Sequence, residues 1–319
     1  MNQNSNAIFT LCSHLCVGEG IEPLEPKEYS ILAKKLLEIK KTPSDLLYFS
    51  LTDLMEQLNM DESGAKRIMR LIDRNASICF ELEKYNNIGI EVVTRADSLY
   101  PSRLKKKLAE KCPPIFYYAG DIKLLSRSAI GFAGARNVEQ QDFDFTKNAV
   151  HKVVSSGYGV VTGGAKGVDT ISGNEAVVCD SFSVEYLADS MVRKLKKSDI
   201  VKQIQDGKLL LLSSVKPDAG FNVGAAMSRN RYVYAQSEAT VIVRSDLNKG
   251  GTWAGATENL KHSWCPTLCW NYPYPGNLAL IKKGAISINE DWDGKISTAT
   301  VPAESENDEG QMLLPDVFI

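Results

Sequence analysis

Apolar residues recur at helical spacing in the first part of the chain, in Ile31, Leu32, Leu36 and Leu37 and again in Ile68, Leu71 and Ile72. Steps of three and four place such positions on one face of a helix. Glycine is sparse after Gly20, and Ser50 and Thr52 stand where helix N-termini call for a capping side chain. From about residue 89 the pattern changes to short, nearly all-apolar runs alternating with amphipathic stretches. The predicted strands are Ile90–Thr94, Ile115–Tyr118, Ala129–Ala133, Gly159–Thr162, Ser183–Leu187, Leu209–Leu212, Ala239–Val243, Pro266–Trp270 and Ala285–Ile288. Helices are predicted between them over Asp142–Ser155, Val168–Val178, Gly224–Ala235 and Thr252–Lys261.

Strands alternating with helices imply βαβ units, and strands apolar on both faces imply a sheet covered on both sides. The fold class is therefore α/β, an extended Rossmann-like, doubly wound, mostly parallel sheet over residues 89–295. A small helical domain over 1–88 precedes it. Its segment LTDLMEQLNMDESGAKRIMRLI reads as two short helices joined by a turn, of the helix-hairpin or sterile-alpha-motif kind. It lacks the glycine hairpin that grips a phosphate, so a structural adaptor is expected. Residues 296–319 read as an acidic linker ending in an apolar segment, Met312 to Ile319.

The composition is that of a globular chain: 319 residues, 44% hydrophobic and 24% charged. No run approaches the length of a membrane span, and no basic segment precedes the first apolar stretch, so no membrane partner is expected. Seven scattered cysteines fit reduced thiols and a cytoplasmic setting better than a disulfide framework. The net charge of −2 hides an asymmetry, because every charged residue after Lys295 is acidic and the body is slightly basic.

Four segments carry candidate chemistry. Gly134-Ala135-Arg136-Asn137 follows one strand and opens a helix, where backbone N–H groups approach an anion and an arginine can add a bidentate grip. Gly163-Gly164-Ala165-Lys166-Gly167 does the same after the next strand, with three glycines in five positions. Gly250-Gly251-Thr252-Trp253 makes a third such turn. Between the second and third lies Arg229-Asn230-Arg231; residues i and i+2 of a helix diverge, so one arginine is expected to face the crevice and the other the rim. In a doubly wound sheet the turns at the C-terminal strand ends share one crevice. None of them is a GxxxxGK[ST] or GxGxxG loop, which removes the main support for ATPase and NAD-dehydrogenase readings.

The ordered set GFAGARN, VVTGGAKGVD, MSRNRYVYAQSEATVIV and NKGGTWAGATENL resembles the DprA/Smf family of DNA-processing proteins. The lead-in Tyr100-Pro101-Ser102-Arg103-Leu104 and the ending Gly276-Asn277-Leu278 through Ala285 extend the likeness over about residues 50–288. The resemblance implies an extended Rossmann domain that binds single-stranded DNA through its phosphates without catalysis. It implies DNA processing in transformation, recombination or defence against mobile DNA, and a homodimer that hands the strand to a RecA-type recombinase. Carried over by position, the DNA-contacting set is Gly134, Ala135, Arg136, Gly163, Gly164, Lys166, Gly167, Arg229, Asn230, Arg231, Gly251, Thr252 and Trp253. Ala135 stands where the family has serine, and Lys166 keeps the charge of an arginine but loses its planar fork. Trp253 and Glu258 depart from the transformation proteins, and the family's winged-helix C-terminal domain is not expected here.

The main rival is a nucleotide-binding or nucleotide-hydrolysing protein using the same crevice, with Glu258 as its carboxylate. Glu258 is read instead as a solvated helix residue, and Asp169 as a helix-start residue holding loop amides. Trp253, then Tyr232 and Tyr234, are the candidate platforms for bases. No cofactor and no metal are expected: Cys12, His14 and Cys16, or Cys265 and Cys269, lack a ligand pattern. The basic clusters Lys105–Lys107 and Arg193–Lys197 read as solvated faces, and the tail's Gln311–Leu314 with Phe318 as a candidate partner-binding peptide.

Overall fold

A computed structural model describes residues 1–18 and 21–299. The predicted tail segment, from residue 300 onward, lies outside the described residues. Six helices precede or enter the sheet: α1 (Gln3–Cys12), α2 (Pro26–Glu38), α3 (Leu51–Gln57), α4 (Glu62–Asp73), α5 (Asn75–Asn86) and α6 (Ser102–Leu108). The segment read as a helical hairpin is α3 and α4. Ser50 caps α3 by accepting from the Asp53 amide, and Asp61 caps α4 by accepting from that of Gly64. Ala65, Ile68 and Leu71 form the buried stripe of α4.

All nine predicted strands are present: β1 (Glu91–Thr94), β2 (Ile115–Ala119), β3 (Ala129–Ala133), β4 (Gly159–Thr162), β5 (Ser183–Leu187), β6 (Leu209–Ser213), β7 (Thr240–Ile242), β8 (Thr267–Trp270) and β9 (Ile286–Ile288). They form one sheet in the order β1-β2-β6-β5-β4-β3-β7-β8-β9. Only β2 runs against the others, pairing antiparallel with both β1 and β6. The remaining helices are α7 (Gln140–Ser155), α8 (Val168–Val178), α9 (Met191–Lys194), α10 (Ser198–Gln205), α11 (Val223–Gln236), α12 (Gly250–His262) and α13 (Pro275–Lys282).

The pleat divides the core between two faces. Leu210 and Leu212 of β6 join Val161, Val184 and Tyr186 in a core under α6, α11 and α12. Leu209 and Leu211 point the other way, into the core of the N-terminal helices. Ile130 and Val160 share that second face with Ser183 and Leu209, as the register shows, and pack under α7 with Phe145 and Val150. The N-terminal helices thus continue the layer begun by α7 and α8. Ile8, Leu71 and Leu82 share one core with Tyr117 of β2. The change at residue 89 is a change of secondary structure with no break in packing.

The chain runs outward from β3 through β4, β5 and β6, then returns to the other side of β3 with β7. The reversal falls between β3 and β7. In open α/β sheets, ligand crevices form at such a point, beyond the C-terminal strand ends. Among the described residues no helix is long and apolar enough to cross a membrane.

Candidate functional site

A cleft of about 650 Å³ opens at that switch point. Its walls are the turn after β3 (Gly134, Ala135, Arg136, Asn137), the turn after β4 (Gly163, Ala165), one side of α11 from Val223 to Tyr234, and the segment from Arg244 to Thr252. Local sequence explains why these turns come so close. A Cβ on Gly134 would stand 2.4 Å from Val168, so only glycine lets the β3 turn pass the start of α8. Gly167, at φ +80°, has the carbonyl of Ala135 2.2 Å from where its Cβ would be. The Val168 amide donates to that carbonyl at 3.2 Å. Thr252 Oγ1 donates to the Gly134 carbonyl at 3.0 Å and Asn230 Nδ2 to that of Gly251 at 3.2 Å. All three glycine turns and α11 are stitched together at one rim.

The floor holds a buried ion pair. Arg229 Nη1 stands 3.7 Å from Asp169, whose carboxylate accepts the amides of Gly163 at 3.0 Å and Ala165 at 3.3 Å. Burial pushes the Asp169 carboxyl up from its ordinary value, against the pull of Arg229 and the two amides. Burial likewise lowers Arg229, with Asp169 opposing. Nε of Arg229 and the hydroxyl of Tyr234 are buried without a hydrogen-bond partner among the described residues. Both residues line the cleft.

At the mouth, Arg136 and Lys249 are exposed and form no ion pair among the described residues. Lys249 is the N-cap of α12, and no side chain caps that helix. Its first amides therefore face the cleft free to bind an anion. Arg244 also lines the cleft, but Glu139 at 2.7 Å and Asp142 at 3.1 Å occupy it. The pair raises the Arg244 pKa, the hydrogen bond that Arg244 donates to Glu139 being the main cause. Its work is to brace the loop after β7 against the start of α7.

Of the predicted contact residues, Gly134, Ala135, Arg136, Gly163, Arg229, Asn230, Gly251 and Thr252 line the cleft. Gly164, Lys166 and Gly167 belong to the same turn but not to the wall; Gly164 packs beside Glu185 and Lys194, and Lys166 is exposed. Arg231 turns away and bonds Glu258 at 2.8 Å. That pairing corrects the reading of Glu258 as a solvated residue and removes it from the cleft. Trp253 also needs correction as a base platform. It is 9% exposed, in the core with Ile242 and Ala256, because the Thr252 staple turns the next position of α12 toward the sheet. Tyr232 is buried against Phe116 and Tyr186, and Tyr234 lies in the floor.

The aromatic residue that the cleft does offer is Phe221, 56% exposed at the lip, with the Arg136 guanidinium 5.6 Å from its ring centre. Val223 beside it is 68% exposed. Both follow a loop rich in Pro, Asp and Gly, where an isolated phenylalanine is the one signal that pointed to them. Lys249 was legible in principle, since it directly precedes a helix-opening glycine pair. The basic clusters divide. Lys107 donates to the Ser237 carbonyl at 3.2 Å, whereas Lys194 pairs with Glu185 beside the β4 turn.

Fold and cleft together define a doubly wound, Rossmann-like protein with a glycine-rich crevice at its switch point. Residues 91–296 match the family model of DNA recombination-mediator protein A, and the chain belongs to that family. This agrees with the DprA resemblance of its motifs. The structure is similar to DNA processing protein A (DprA) from Streptococcus pneumoniae, with a TM-score of 0.65 at 16% identity, over 83% of this chain and 95% of that one. It is also similar to DNA processing protein A from Helicobacter pylori, solved for its single-stranded DNA binding mode, with a TM-score of 0.50 at 24% identity, over 62% and 90% of the two chains. At these identities the likeness is one of fold. No curated protein matches the chain in sequence.

Proposed function

We propose that the chain binds single-stranded DNA non-covalently, seating phosphates in the cleft between the turns after β3, β4 and β7. One observation carries the reading: Arg136 and Lys249, two cations with no ion pair among the described residues, line the cleft beside the start of α12, over a floor that already holds Arg229. Phosphates match such donors, and the exposed Phe221 supplies a face on which a base can stack. Family membership and the H. pylori relative's binding of single strands support the same ligand. In this reading residues 89–295 are the binding body and 1–88 an adaptor. The protein works in the cytoplasm, in DNA processing for transformation or recombination or in defence against mobile DNA. A second copy of the chain and a RecA-type recombinase are its protein partners.

An oligo-dT length series at two salt concentrations tests this, using the full chain and its Arg136→Ala variant. Affinity that grows with length, falls steeply with salt and drops in the variant is the expected result. Saturation by a mononucleotide, with no gain from length, would replace the reading with a nucleotide pocket. Unchanged affinity in Arg136→Ala would remove the cleft from the binding path.

A further inference from the structure

Away from the cleft, α7 and α8 bring together three donor side chains of different chemistry. Glu175 lies in the last turn of α8 and Cys179 is that helix's C-cap, its amide donating to the Glu175 carbonyl, so the two side chains project from the same side. His151 reaches across from α7, its Nε2 2.6 Å from Oε1 of Glu175. The Cys179 thiol completes the group, and all three donor atoms lie within 4.8 Å of one another. Lys147, one turn before His151, holds the other oxygen of Glu175 at 3.0 Å.

We propose that His151, Glu175 and Cys179 form a binding site for a zinc-class divalent cation. One imidazole nitrogen, one carboxylate oxygen and one thiolate make a mixed set suited to zinc or cobalt and ill-suited to the all-oxygen preference of magnesium or calcium. With bonds of roughly 2.0–2.3 Å, tetrahedral donors stand about 3.5 Å apart. The imidazole therefore moves out slightly and the thiol moves in. His151 has the freedom to do so, its side chain being 57% exposed, while Glu175 is anchored with 9% exposure. The imidazole binds through Nε2 as the neutral ring, the thiol gives its proton to solvent, and water takes the fourth position. Lys147 stays on the second carboxylate oxygen and orients it, as an outer partner of a metal ligand does.

A simple ion pair of His151 and Lys147 around Glu175 would not need the thiol, so Cys179 is the residue that decides. The site lies toward the C-terminal ends of α7 and α8, whereas the turns lining the cleft precede their N-terminal ends. A bound ion would clip the two helices together without touching the cleft.

The test uses the full chain, stripped of metal by a chelator and titrated with Co²⁺. A saturable thiolate-to-cobalt charge-transfer band is expected, abolished in Cys179→Ser and in His151→Asn and displaced by Zn²⁺. Zn²⁺ should also raise the melting temperature of the wild type but not of Cys179→Ser. No saturable band, or a band that persists in Cys179→Ser through another thiol, would overturn the site. Oligo-dT affinity should be equal in stripped and zinc-loaded protein, so a failure of the metal site and a failure of the DNA reading are separately visible.

Discussion

The guanidinium of Arg229 occupies the space that a side chain on Gly163 would need. A Cβ built there would stand 1.3 Å from Nη1 and 2.1 Å from Cζ. The bare backbone of the β4 turn lets α11 pass its arginine beneath, where Asp169 faces it and also accepts the Gly163 amide. A missing Cβ on one element thus sets where the charge of another is held.

Gly163→Ala should therefore act as a charge mutation. Displacing Arg229 costs a charge-assisted contact of about 1.5–3 kcal/mol, roughly a tenfold to hundredfold loss of affinity for oligo-dT. Arg229→Ala should lose the same amount, and the double variant no more than either single one, because both remove one contact. Fluorescence anisotropy on the three variants checks this, and additive losses would show that the glycine acts separately.

The cations at the mouth should reveal themselves through salt. Each phosphate neutralised on a single strand contributes about −0.7 to the slope of log K against log salt. Lys249→Ala and Arg136→Ala should each flatten the slope by about that amount. Arg244→Ala should leave the slope nearly unchanged, since its charge is already matched by Glu139 and Asp142, and should instead lower stability. Titrations at four salt concentrations distinguish the three.

What the sequence made legible was whatever is written locally. Each strand was a short, largely apolar run, those of β3 and β4 ending directly in a glycine turn, and even β7, shorter in the structure than predicted, keeps backbone bonds to β3 over its predicted length. Ala239 and Val243 still bond to Gly131 and Ala133. The glycine turns were legible for the same reason, since close backbone approach is a property of the residue itself. Which face of a helix meets the sheet is decided by tertiary packing. That is why Trp253 was misplaced, and why Arg231 with Glu258, or His151 with Glu175, left no mark in spacing. Phe221 sits in a loop, where no periodicity assigns a direction.

Because Phe221 stands at the lip and Trp253 in the core, their substitutions should separate. Phe221→Ala should weaken oligo-dT binding by about 1–3 kcal/mol, the worth of one stacked base, with little change in melting temperature. Phe221→Trp should keep affinity and report binding by quenched fluorescence. Trp253→Leu should lower stability by removing buried aromatic packing and leave the affinity of the folded fraction intact. Loss of affinity in Trp253→Leu but not in Phe221→Ala would reverse the assignment.

Glu185 carries a charge in the middle of the sheet, 5% exposed on β5, with Lys194 of α9 as its partner. The pair lies under the β4 turn. A Cβ on Gly164 would be 2.7 Å from one Glu185 oxygen, and a Cβ on Gly173 3.3 Å from the other. Breaking a buried pair strands a charge and costs about 3–5 kcal/mol, far more than the ~0–1 kcal/mol of a surface pair. Lys194→Met should fall near the larger figure, and Glu185→Gln in that background should recover part of it by removing the stranded charge. Urea unfolding of the two variants measures both steps. A loss below about 1 kcal/mol in Lys194→Met would place the pair among screened surface contacts. The turn that carries Gly163 rests on this pair, so Lys194→Met should also weaken oligo-dT binding, and Glu185→Gln in that background should recover part of the binding along with part of the stability.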